Sequence, residues 1–171
     1  MPSAVLTPRG VERAKSGHVW IYRSDVADVQ AAPGDIVDVV GPRGRPMGAA
    51  FYSDRSQIAL RLVTTGGAAA EPDLIRHRIE AALRYRERLQ IDATAYRLVH
   101  GEGDLLPSLV VDRYADCLVV QTLSQATDRR LPEIVDVLTA LVRPAGILVR
   151  NDAKVRALEG LEPRVEVVAG T

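Results

Sequence analysis

The stretch "DIVDVVGPRGRPMGAAFYSDRSQIALRLV", Asp35–Val63, decides how the first third of the chain folds. Three runs in it, Asp35–Val40, Pro46–Tyr52 and Ile58–Val63, are rich in β-branched or aromatic residues and have the length of strands. Between the first two lies "GPRGRP", Gly41–Pro46, whose glycines and prolines break an extended chain into a turn. Toward the N-terminus, "APGD" (Ala32–Asp35) makes a second turn, and Ala4–Leu6 and His18–Tyr22 read as further strands. Pro8 opens a helical turn that runs to Lys15 and stops at Gly17. Five or six short strands spaced this closely predict a small β-barrel over residues 1–66.

Toward the C-terminus, "TTGGAAAEPD" (Thr64–Asp73) ends the barrel, and residues 67–95 read as a linker and connecting helix. Ile75, Ile79, Ala82, Leu83 and Leu89 recur at helical spacing between Asp73 and Gln90. Arg76, Arg78, Arg84, Arg86 and Arg88 lie among them, and a solvated face is the expectation for these five. Residues 96–171 read as strands Tyr96–Val99, Leu109–Arg113 and Leu118–Leu123, helix Leu131–Val142, strand Ile147–Arg150, a helical turn over Asp152–Gly160, and strand Val165–Val168. The fold class is therefore α+β: a barrel, a helix, and a strand-strand-helix-strand-strand domain.

Charge narrows the function little, because 22 Lys plus Arg stand against 22 Asp plus Glu. Residues 1–65 are slightly basic, with eight basic and six acidic side chains, and basic charge is nearly all Arg, which suits phosphate and base stacking. One cysteine, Cys117, allows neither an internal disulfide nor a cysteine-based zinc cluster. Without an apolar leader, or any run near the roughly 20 apolar residues that span a bilayer, the expectation is a cytoplasmic protein with no membrane partner.

His100, Glu102 and Asp104 cluster in one turn of "YRLVHGEGDLLPSLVVDRYADCLVVQT" (Tyr96–Thr122), a pattern open to acid–base chemistry, a metal or a demanding loop. Cys117 stands alone, so the H-x-E pair lacks the cysteines a zinc deaminase needs, and no metal is expected. Gly101 and Gly103 lack the third glycine and the following helix of a dinucleotide cradle, so no cofactor is expected in this segment. The loop reading has the glycines supplying unusual backbone angles while the carboxylates cap turn amides and pair with Arg97 or Arg113. No catalytic residue is assigned, and Cys117 reads as a small residue at a strand start.

"SGHVWIYRSDV" (Ser16–Val26), "MGAAFYSDRSQIALRLV" (Met47–Val63), "YRLVHGEGDLLPSLVVDRYADCLVVQ" (Tyr96–Gln121) and "RNDAKVRALEGL" (Arg150–Leu161) together resemble one family. It is the bacterial class I adenosylmethionine-dependent group that methylates C5 of cytosine in 23S ribosomal RNA. The G-E-x-D-x-L-P-x-L-x-x-D-R pattern at Gly101–Arg113 is the most specific part of the match, with Ser108 where the family usually has glycine. The resemblance implies an N-terminal PUA domain that binds RNA, a central strand-strand-helix-strand-strand domain, and a C-terminal Rossmann-like methyltransferase domain. The expectation is that this last, catalytic domain is absent here, so that S-adenosylmethionine is implied only for a complete family member. Cys117 does not match the family's nucleophile.

On this reading the partners are large-subunit ribosomal RNA and the missing methyltransferase domain. Candidate RNA contacts are Arg9, Arg13, Lys15, His18, Arg23, Arg43, Arg45 and Arg55, with Trp20 added as a stacking residue. Trp20 alternates with His18 and Tyr22 and fits the barrel core as well, and core is the expectation for it. Arg97, His100, Glu102, Asp104, Asp112 and Arg113 form a candidate loop facing the active site of the complete enzyme. The alternatives are a standalone PUA-type RNA-binding protein and a structural module that forms a homodimer through strand edges at Leu109–Val111 or Val165–Val168.

Overall fold

The computed structural model describes residues 1–170, which pack as two compact units, Met1–Pro72 and the residues from Asp73 onward. The first contains β1 (Ser3–Leu6), α1 (Pro8–Lys15), β2 (Trp20–Tyr22), β3 (Val26–Gln30), β4 (Ile36–Val40), β5 (Pro46–Tyr52) and β6 (Ile58–Leu62). Its strands form one curled six-stranded sheet, a half-barrel ordered β2-β6-β5-β4-β1-β3, in which only β1 and β4 run parallel. Alternate side chains from five of these strands meet in one core, including Leu6, Ile21, Val37, Val39, Met47 and Leu60.

Two departures from the sequence reading follow from that alternation. Val26–Gln30 is a strand, β3, that the reading omitted; its side chains are half-buried or exposed, so no hydrophobic period marks it. Trp20 is not core: Ile21 takes the inward position of β2, which leaves Trp20 41% and Tyr22 37% exposed. Strand β2 begins at Trp20, so His18 precedes the strand and is exposed.

Helix α1 is seated by a buried carboxylate. Thr7 caps the helix by accepting the Gly10 amide at 3.1 Å, and Pro8 follows at its first position. Asp25 ends a 3-10 turn, Arg23–Asp25, and has no exposed surface. Its backbone oxygen accepts the Thr7 amide (2.9 Å) and hydroxyl (3.2 Å), and its carboxylate accepts Arg9 Nε and, at 2.8 Å, Arg13 Nε. Burial pushes the Asp25 pKa up, but hydrogen bonds from Arg9 and Arg13 and their charges outweigh it, so the carboxyl lies below its ordinary value. Gly10 lets the helix approach this oxygen, since a Cβ there would stand 2.4 Å from it.

The second unit holds α2 (Leu74–Leu89), β7 (Ala95–His100), β8 (Leu109–Tyr114), β9 (Cys117–Thr122), α3 (Gln125–Arg129), α4 (Leu131–Val142), β10 (Gly146–Asn151) and β11 (Arg164–Gly170). The sheet order is β11-β10-β9-β8-β7, with β9 and β10 parallel across the α3–α4 crossover and the other neighbours antiparallel. Helix α2 packs on β7 and on α4. Helix α3 is a second omission: Ser124 caps it in a box with Thr127 rather than the usual Glu or Gln, which hid its start. Leu109–Val111 lies inside β8, between β7 and β9, so it is not an edge; β11 is, and exposes Val165 and Val167.

The "RNDAKVRALEGL" segment clamps β10 to the β9–α3 corner through buried polar side chains. Asn151 accepts the Thr122 amide and donates to its hydroxyl, both at 2.8 Å, while Arg156 donates to Asp128 at 3.0 Å and to the Thr122 and Glu162 carbonyls. Glu159 accepts the Gln125 amide at 3.1 Å. Ser108 has φ 64°, the left-handed region that glycine adopts most easily; its hydroxyl bonds the buried Ser124 hydroxyl.

Gly10→Ala improves helix propensity by about 1 kcal/mol, yet the clash with Asp25 should make the variant less stable by about 2 kcal/mol in urea unfolding. A more stable variant would mean that α1 is not seated on that oxygen. Asp25→Asn tests the carboxylate itself. A group held below its unfolded pKa of about 3.9 adds stability above that pH and loses it as pH falls through the folded value. The variant should therefore be less stable at neutral pH by about 2 kcal/mol and lose less stability than the parent on acidification. Equal acid sensitivity would contradict the assignment.

Candidate nucleic-acid interface

The nine candidate contacts of the first unit divide by what already holds them. Arg9 and Arg13 are bound to Asp25, and the Arg13 guanidinium also lies 4.9 Å from the centre of the Tyr22 ring. Arg23 donates to the backbone oxygens of Ser53 (2.9 Å) and Ser56 (2.7 Å), closing the β5–β6 loop. These three guanidiniums maintain the fold before any ligand arrives.

Lys15, Arg43 and Arg45 are placed differently. Lys15, at the end of α1, and Arg45, before β5, line one cleft of about 390 Å³ with Gly17, Met47, Leu62 and Gly66. Gly17, at φ 90°, takes the left-handed region and leaves open space where a side chain would stand. Arg45 and Met47 also border a second groove of about 390 Å³, with Arg43, Pro42, Pro8 and Val11. Arg43 and Arg45 are exposed and have no carboxylate partner among the described residues, and Lys15 has only an exposed contact with Glu12 at 3.7 Å. Arg55 is exposed on the β5–β6 loop, and His18 and Trp20 lie outside both clefts. The contribution of Met47 and Gly66 to the cleft had no mark in the sequence, since neither is charged or aromatic.

In the second unit the His100–Asp104 turn is a 3-10 turn, Gly101–Asp104, closed by Leu105 in the left-handed region at φ 57°. Asp104 accepts the His100 amide at 2.6 Å and a two-pronged contact from Arg86 of α2, whose Nη1 donates to Oδ1 and whose Nη2 donates to Oδ2 at 2.8 Å, with both side chains about one-tenth exposed. This corrects two expectations: the partner of Asp104 is neither Arg97 nor Arg113, and Arg86 is not on a solvated face. Helix i+3 and i+4 spacing could not reveal a contact made to a turn 18 residues away. Arg97 instead pairs with Asp112 at 2.8 and 3.2 Å, and this hydrogen bond, with the carboxylate's charge, raises the Arg97 pKa. His100 Nδ1 stands 3.3 Å from Arg97, and Arg113 donates to Ala115 O at 2.8 Å. Glu102 is half-buried.

Among the described residues no three His, Cys, Asp or Glu side chains are grouped to hold a metal. Nor do they fit S-adenosylmethionine. The glycine turn runs through Leu105–Ser108 into β8, so no helix N-terminus stands behind it to receive a ligand, and Asp104 is spent on Arg86.

Residues 4–65 match the PUA-like domain family. The chain is 35% identical over 158 residues to the ribosomal RNA large subunit methyltransferase I of Tolumonas auensis, covering 90% of this chain and 40% of that protein. It is 31% identical over 175 residues to the protein of the same name from Vibrio cholerae, covering 99% and 44%. A Streptococcus mutans chain described as a SAM-dependent methyltransferase superposes with a TM-score of 0.80 at 15% identity, over 100% of this chain and 44% of that one. The chain thus spans about 40% of the length of the curated relatives it matches. No helix among the described residues is long and apolar enough to cross a membrane. Residues 4–65 are a PUA-like domain, and the chain matches the N-terminal part of the large-subunit ribosomal RNA methyltransferases.

Proposed function

We propose that this chain is the RNA-recognition and linker portion of a SAM-dependent methyltransferase that modifies cytosine C5 in large-subunit ribosomal RNA. In this reading residues 1–66 are the RNA-binding barrel, 67–95 the connection and 96–171 the central domain. The observation that carries it is the convergence of Lys15 and Arg45 on one cleft of the PUA-like domain, beside the open backbone of Gly17. Arg45, with no carboxylate partner among the described residues, and Lys15, with only the exposed Glu12 contact, suit the phosphodiester of a folded RNA next to exposed backbone. Arg43 lies across Arg45 and Met47 in the neighbouring groove, which Glu12 also lines. The chemistry of the relatives needs a methyl donor, and the side chains described above supply no place for one, so this portion binds and orients.

The test is fluorescence anisotropy with a structured large-subunit ribosomal RNA fragment. Lys15→Ala combined with Arg45→Ala should weaken binding about tenfold and lower the log–log salt slope by about 1 to 2, the contribution of two phosphate contacts. Arg23→Ala should lower thermal stability while keeping the slope. An unchanged slope in the double variant would remove the cleft from RNA binding. The 171-residue chain alone should transfer no label from methyl-labelled S-adenosylmethionine to RNA, and transfer above background would overturn the binding-only assignment.

A further inference from the structure

A second surface, in the other unit, has the chemistry of a nucleic-acid contact. A shelf of about 580 Å³ opens along β7, the edge strand of the five-stranded sheet. Directly paired residues share a face, so Ala95 with Tyr114, Arg97 with Asp112, and His100 with Val110 stand on the side away from the buried Val99 and Val111. Tyr96 and Arg113, also paired, stand on the opposite side, and Arg86 reaches the same strand by donating to Arg97 O at 3.2 Å. The shelf therefore wraps the strand edge, with three guanidiniums, one imidazole and two phenol rings; Asp112 pairs with Arg97 and Asp104 with Arg86, which leaves Arg113 as the guanidinium without a carboxylate partner among the described residues.

Each guanidinium is already fixed. Arg97 is held by both oxygens of Asp112, Arg86 by Asp104 from beneath, and Arg113 by Ala115 O at 2.8 Å. A cation held in place gives up little rotamer freedom on binding. Tyr114 sits at the head of the β8–β9 hairpin, where Ala115 takes a left-handed φ of 54°, and the residue is 54% exposed. An exposed ring beside fixed guanidiniums is the arrangement that stacks a base and meets its phosphates. An added peptide strand is the other occupant an edge can take, but the bulge between Arg97 and Val99 breaks the even run of donors it needs, and the lining is charged rather than apolar.

We infer that the β7 edge is a second RNA contact that takes an unpaired nucleotide, with the base stacked on Tyr114 and the flanking phosphates on Arg97 and Arg113. This rests on the reading of the chain as RNA-recognising but uses none of the residues of the Lys15–Arg45 cleft. The test is anisotropy of the 171-residue chain with a labelled oligouridine of about ten nucleotides, a length one such surface can track. Tyr114→Ala should raise Kd on the order of tenfold, Tyr114→Phe should bind as the parent does, and annealing the oligomer to its complement should weaken binding. Independently of any variant, the oligomer should slow amide exchange in the parent chain at residues 95–100 and 110–114. The inference is overturned if oligouridine does not bind, if a folded Tyr114→Ala binds as the parent does, or if protection lies elsewhere. It is equally overturned if an extended peptide, and not RNA, protects β7. Loss of structured-RNA binding in the Lys15/Arg45 variant would in each of those cases leave the PUA-like reading standing.

Discussion

Asp25 has no exposed surface, and an ionised carboxylate so placed costs several kcal/mol unless donors surround it. Arg9 and Arg13 supply them from successive turns of α1, so the helix must lie where its guanidiniums reach inward across Gly10. That fixes the end of α1, and hence Lys15 and the Gly17 turn, which form one wall of the cleft opposite Arg45. The candidate binding surface thus depends on a buried carboxylate and the two α1 arginines that neutralise it.

The second unit repeats the logic with different partners. Arg86 ties α2 to the Gly101–Asp104 turn, and Arg156 ties the segment after β10 to Thr122 and Asp128. In both units arginine is first a structural cross-link, whose planar fork satisfies several oxygens at once. The cations without a buried carboxylate partner include Lys15, Arg43, Arg45 and Arg55 in the barrel and Arg113 at the β7 edge, where it stands beside the Asp112-paired Arg97.

Much of the fold was legible because apolar runs of strand length are bounded by Gly/Pro turns, as at Pro46–Tyr52, which follows the Gly41–Pro46 turn and whose limits match β5. The omitted elements, β3 and α3, lack that coincidence: one has no buried period and the other an unusual cap. The site was less legible. Charge marks every arginine alike, while its role depends on which carboxylate the fold brings near, and the Arg9–Asp25 and Arg86–Asp104 pairs join residues 16 and 18 positions apart. Trp20 was misplaced for a related reason, since a strand places alternate residues on opposite faces but does not say which face is inside. The functional reading of the Gly101–Arg113 pattern came from family resemblance, and the structure adds why Ser108 is tolerated there.

In the proposed function, RNA is held by the α1 to β4–β5 face of the PUA-like domain. Ultraviolet cross-linking of the chain to a large-subunit ribosomal RNA fragment, with the modified peptides identified by mass spectrometry, tests it directly. The account predicts cross-links concentrated around Lys15–His18 and Arg43–Met47. Cross-links confined to the exposed arginines of α2, such as Arg84 and Arg88, with none in the barrel, would contradict it.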